Sequence, residues 1–122
     1  MRRYKVSVTT DSSGNAVALS PRIAGKIHSI QYVKDATNAY TDGVDIAVTA
    51  ETTGENIWMQ ANVNASASVY PRAPTSDRAG VASLFAASGT AVQDKVGVVD
   101  RVKIALAQGG PAKTGVFHIL VD

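Results

Sequence analysis

The sequence predicts an all-β protein, an antiparallel β-sandwich of jelly-roll or immunoglobulin-like type. Two observations carry this. Apolar and polar residues alternate with period two in short runs along the chain, which puts one apolar set on one side of a pleated strand. Clusters of Gly, Asn, Asp, Ser and Thr separate the runs, and these residues make turns. Composition agrees: 45% of residues are hydrophobic and only 18% charged, and the abundant Ala, Val, Ser and Thr suit a packed sheet. A chain of 122 residues has room for one core. The expected organisation is a single domain, 1–122, with a short basic N-terminal arm.

The elements follow in order. Tyr4, Val6 and Val8 alternate with Lys5 and Ser7, and "DSSGN" (11–15) separates this strand from "AVALS". Residues 34–43 form a polar loop that contains Tyr40. Val44, Ile46, Val48 and Ala50 form the next alternating set, and "TTGEN" (52–56) separates it from "IWMQ". Val63, Ala65, Ala67 and Val69 alternate with Asn62, Asn64, Ser66 and Ser68 as one strand. Residues 71–91 are rich in small side chains, and a short helix is placed near 81–87. Val102, Ile104 and Leu106 form a further strand. "GGPAKTG" (109–115) reads as the tip of a hairpin leading into "VFHILV", a run apolar on both faces apart from His118 and therefore a central strand.

The motifs hold no reaction chemistry, and the chain reads as a non-enzyme. A phosphate-cradling loop needs glycines where Ala107 and Ala112 stand before Lys113-Thr114, and a helix where a strand follows. The "KTG" of serine hydrolases needs a serine with a lysine three positions later, and no serine here has one. His28 and His118 read as structural, because no nucleophile or ligand spacing accompanies them. "TDGVD" (41–45) lacks the spacing of a calcium loop. No metal and no cofactor is expected. Cysteine is absent, which excludes disulfides and thiolate sites. No apolar run reaches membrane-spanning length, and the start lacks the apolar stretch of a signal peptide, so Met1 reads as the mature start and a cytoplasm as the site of synthesis and assembly. "Asn64-Ala65-Ser66" fits a glycosylation pattern that has no use there. A net charge of +2 is too small to mark a nucleic-acid binder. Trp58 reads as core.

Interface candidates remain. Arg2, Arg3 and Lys5 form the basic start, and Arg2, Arg3 and Tyr4 are its contact candidates. "YPRAPTSDR" (70–78) has Pro71 and Pro74 fixing an extended backbone, with Tyr70, Arg72 and Arg78 as side chains enriched at protein contacts. The stretches "SPRIAGKIHSIQYVKD", "DGVDIAVTAETTGENIW", "VYPR" and "DRVKIALAQGG…KTGVFHILVD", between an M-x-x-Y-K-V-S-V-T-T-D start and a G-x-F-H-x-x-V end, resemble a family of small virion structural proteins of tailed bacteriophages. The resemblance runs over nearly the whole chain and implies a virion component; it brings no catalytic residues. A rigid, cysteine-free β core with edges and arms suits a capsid decoration (cement) protein on the virion surface. Its expected partners are the major capsid protein and further copies of itself, as a dimer or trimer. A head–tail connector or tail component is the structural alternative. A carbohydrate-binding sandwich using Tyr40 and Trp58 is the alternative of another class.

Overall fold

Alternating apolar residues become strands throughout. The computed structural model describes residues 1–122 as eight strands: β1 (Arg2–Thr9), β2 (Ala16–Lys34), β3 (Val44–Ala50), β4 (Asn56–Val63), β5 (Ala67–Val69), β6 (Arg72–Pro74), β7 (Gln93–Ala107) and β8 (Thr114–Val121). All pairings are antiparallel, in the order β1-β8-β2-β7-β3-β4, with β5 added to β2 and β6 to β7. The all-β sandwich expected from the sequence is therefore the architecture found.

The long strand β2 organises the layers. Its first part, 16–27, pairs with β7, and its last part, 27–34, pairs with β8 on one side and β5 on the other. One layer is thus β1-β8-β2-β5 and the other β2-β7-β3-β4, with β2 shared. Counting the two parts of β2 separately and setting β6 aside, first pairs with last, second with seventh, third with sixth and fourth with fifth. Nested pairing of this kind is a long hairpin rolled up on itself, which is the jelly-roll arrangement. The inward residues of both layers form one cluster of 21 buried residues, with Phe117, Ile119, Ile104, Val102, Ile23, Ile27 and Ile30 fully enclosed.

Two local devices let a 19-residue strand serve both layers. At the first, Ser20 and Pro21 stand opposite the single residue Val102, a bulge. Pro21 has no N–H for the ladder, and the bulge removes the need for one. The Ser20 hydroxyl accepts the Val102 N–H at 2.9 Å. At the second, Gly25 has φ +150°, and a Cβ there would lie 2.5 Å from the Asp122 carbonyl oxygen. Only glycine lets the C-terminal end of β8 cross so close to the bend.

Four expectations are corrected. The basic start is not a free arm: Arg2 and Arg3 belong to β1 and pair with Val121 and Leu120. No helix forms near 81–87; that segment holds turns and two isolated bridges, Ser76 to Ala82 and Leu84 to Ala91. Gly80 and Ser88 take positive φ, and seven residues without a surface to pack on are too few to nucleate a helix. The run 63–69 is two strands, because the chain leaves one layer for the other there. Asn64 Oδ1 accepts the Gly43 N–H at 2.7 Å and Ser66 Oγ accepts the Lys34 N–H at 2.8 Å. "GGPAKTG" is not a hairpin tip, because β2 lies between β7 and β8. It is an arch between layers, tied by Gly109 N–H to Gly14 O at 2.9 Å and by the Thr10 hydroxyl to Gly110 O at 2.6 Å. The central position expected for "VFHILV" is observed, since β8 lies between β1 and β2. Trp58 is buried.

Candidate interaction surface

Three of the four layer edges are blunted. β5 has three residues. β4 carries register shifts opposite Val44–Ile46 and Val48–Thr49. The first part of β2 is interrupted by its own bulge at Ser20 and Pro21. Short and bulged edges resist pairing with another chain. β1 differs: its eight residues pair with β8 without a shift from Arg2 to Thr9. Thr10, the next residue, donates its N–H to Lys113 O at 2.8 Å. By the alternation of antiparallel strands, the N–H and C=O groups of Arg3, Lys5, Ser7 and Thr9 point away from β8, to the open edge. The same residues are exposed on the outer face, while Val6 and Val8 enter the core. The edge therefore offers a straight row of backbone groups flanked by two positive charges.

The six interface candidates divide. Arg2 and Tyr4 share a depression of about 400 Å³ with Arg22, Ala24, Val121 and Asp122. Tyr70 and Arg72 reach His28 on β2: Tyr70 meets its ring edge-on at 6.0 Å, and Arg72 Nη1 donates to its carbonyl at 3.1 Å. Ile27, next to His28, pairs with Val121, so these four candidates gather around the C-terminal end of β8. Arg3 lies on the outer face instead. Arg78 lies apart, in the exposed segment between β6 and β7.

The charges at this end of the molecule are mixed. Lys95 bonds Asp122 and Lys26 stands 3.7 Å from Asp94. The Lys95 ammonium, through its hydrogen bond first, holds the Asp122 carboxyl below the usual range. The Lys95 backbone N–H, and then the Lys26 charge, do the same for Asp94. Arg2, Arg22 and Arg72 have no carboxylate within ion-pair distance, so the surface remains basic. The sequence places Lys5 in the basic start with Arg2 and Arg3; that it lies on an open sheet edge follows from the pairing of β1.

The histidines and aromatics take structural places. His28 Nδ1 lies 3.1 Å from the Ser29 hydroxyl. His118 is half-buried between Lys5 and Gln31 in the cross-strand register, and its Nδ1 has no partner. Tyr40 stacks on Tyr32, and Tyr32 on Phe117. Tyr40 and Trp58 are both buried, so the two aromatics that a carbohydrate platform would use do not face solvent. Asp42 stands 3.8 Å from Lys34, and Asp45 accepts the Asn62 N–H at 3.1 Å.

The fold defines a small jelly-roll sandwich with one open, basic edge. Comparison of the chain with protein-family models, with characterised proteins and with solved structures returns no match.

Proposed function

We propose that this chain is a bacteriophage virion structural protein, a capsid decoration protein that binds the lattice of the major capsid protein. The observation that carries the reading is the β1 edge: eight unbulged residues, with open backbone groups and Arg3 and Lys5 beside them. An extended strand from a partner adds to such an edge through main-chain hydrogen bonds. Two β1 edges facing each other would bring like charges together, so the edge favours an acidic strand over its own copy. Repetition over a symmetric lattice turns weak individual contacts into stable occupancy. The family resemblance of the sequence supports the same reading.

Occupancy on purified capsids tests it. Ser7→Pro removes an N–H that points to the open edge and leaves the β8 ladder intact. Arg3→Glu with Lys5→Glu reverses the edge charge. Occupancy should fall in both, and the wild type should detach as salt rises. Unchanged occupancy in both variants removes the edge from the account. Densitometry of whole particles separates decoration, at hundreds of copies, from a connector or tail component, at a few.

A further inference from the structure

The β1 edge by itself does not fix where a partner strand starts. Its open backbone groups recur every two residues, at Arg3, Lys5, Ser7 and Thr9, and the pairing with β8 behind them is unbroken. A strand slipped by two residues keeps its side-chain faces and most of its main-chain bonds. Recognition of one strand in one register needs a feature at one place along the edge. The hollow of about 400 Å³ at the start of β1 is such a feature.

Strands from both layers line it. Arg2 and Tyr4 come from β1, Arg22 and Ala24 from β2, and Val121 and Asp122 from the end of β8. Arg2 and Tyr4 share the face of β1 that carries Val6 and Val8. Arg22 stands just past the bulge at Ser20 and Pro21, so the second guanidinium comes from the other layer. Asp122 is the one acidic side chain in the lining, and Lys95 takes it up. The terminal amine of Met1 and the terminal carboxylate of Asp122 carry opposite charges and leave the balance unchanged. Arg22 also borders the depression that holds Asp100 and Glu55, yet neither reaches ion-pair distance of it, and no carboxylate reaches Arg2. Arg101, opposite Arg22 in the ladder, is held by Glu51. Two planar guanidinium forks and a phenol hydroxyl thus surround one space as donors without an anionic partner. A carboxylate fits such a donor set.

We infer that the hollow is a carboxylate clamp, which takes an Asp or Glu side chain of the strand added along β1 and so fixes its register. The identity of that strand rests on the decoration reading; the carboxylate site itself does not. The residue that such a strand sets opposite Arg2 turns its side chain to the face of Arg2 and Tyr4, whichever way the strand runs. An acidic residue one place along meets Arg3 on the outer face instead. The clamp and the edge charges therefore read different positions of the partner.

Arginine side-chain NMR on the isolated full chain tests the clamp, with sodium acetate as the probe, sodium chloride at equal ionic strength as the blank and inorganic phosphate as the second anion. The Nε–Hε signals of Arg2 and Arg22 should shift with acetate along saturating curves with one midpoint, while Arg3 and Arg78 follow the chloride blank. Arg22→Gln should abolish the saturating shift at Arg2, and Arg2→Gln the shift at Arg22. Signals that move no further than in chloride, or that saturate separately, overturn the inference. A response to phosphate without one to acetate overturns the carboxylate as ligand.

Purified capsids separate the clamp from the reading it serves. Arg22 is not on β1, so Arg22→Gln leaves the backbone groups of the edge and its Arg3 and Lys5 charges in place. Capsid affinity should fall about tenfold, the weight of one charge-assisted hydrogen bond, and Ser7→Pro should lower it as well. Weaker binding in Ser7→Pro with unchanged binding in Arg22→Gln overturns the clamp and leaves decoration standing. Coupled arginine shifts with capsid binding unchanged in both variants sink decoration and leave the carboxylate site standing. Circular dichroism checks folding, and Arg2→Gln carries the capsid test should Arg22→Gln unfold.

Discussion

The hydroxyl of Ser20 accepts the N–H of Val102 at 2.9 Å, with both residues buried, at the point where Pro21 takes β2 out of its ladder. Ser20→Ala leaves that N–H buried and unpaired, which costs about 1–3 kcal/mol. Urea unfolding should show a lower midpoint with an unchanged slope, because the surface exposed on unfolding is the same. An unchanged midpoint would mean that another acceptor reaches Val102.

Gly25→Ala should be more damaging than its size suggests. The new methyl meets the Asp122 carbonyl at 2.5 Å and Val121 Cγ1 at 2.8 Å, on a backbone with φ +150°. Backbone strain alone is of the order of 1–3 kcal/mol, and relief requires the end of β8 to move. Asp122 N–H bonds Lys26 O at 2.9 Å in the native fold. Hydrogen exchange at Asp122 should therefore accelerate more than exchange at the centre of β8. Equal acceleration along β8 would place the strain elsewhere.

The same two residues show why part of the fold was hidden in the sequence. Pro21 and Gly25 disfavour a regular strand locally, and of the 19-residue β2 the sequence pattern marked only "AVALS". A bulge and a close crossing of chains allow both residues inside it, and each depends on a partner about a hundred positions away. The "GGPAKTG" arch misled for a related reason: turn chemistry says that the chain bends, not which strand lies beside it afterwards. Local pattern sufficed where alternation marks the buried face, as in Val44–Ala50, and where a run apolar on both faces marks a central strand, as in Thr114–Val121. The candidate surface was legible only in its charges.

Acid should destabilise the protein through its aspartates. Asp100 is buried and accepts the N–H of Thr52 at 2.6 Å and of Arg101 at 2.8 Å. These bonds, the Thr52 one above all, hold its carboxyl below the usual range despite burial. Asp35, Asp94 and Asp122 are lowered as well. A carboxyl with a lowered folded-state pKa stabilises fully above its unfolded value, about 3.9, and loses that contribution as pH falls through the folded value. Tm should be flat above about pH 5 and decline below about pH 4. Asp100→Asn should lower Tm at neutral pH and make the acid decline shallower; an unaltered decline assigns the acid sensitivity to the other three.

Tyr40 sets the alkaline limit. Its hydroxyl donates to the Val8 carbonyl at 2.5 Å, and its ring stacks on Tyr32 above Gly115, where a Cβ would lie 2.6 Å from Tyr40 Cε2. Burial, and then the neighbouring Tyr32, push the phenol far above its ordinary value. A raised folded-state pKa stabilises fully below the unfolded value of about 10 and is lost as pH climbs toward the folded one. Stability should therefore fall above about pH 10. Tyr40→Phe keeps the stack, removes the bond to Val8 at a cost of about 1 kcal/mol at neutral pH, and weakens the alkaline decline. Tyr32, also raised by burial, leaves a residual decline in that variant. Difference absorbance at 295 nm, a wavelength that follows phenolate, gives the second readout. In the wild type two of the four tyrosines should ionise only with unfolding, and in Tyr40→Phe one should.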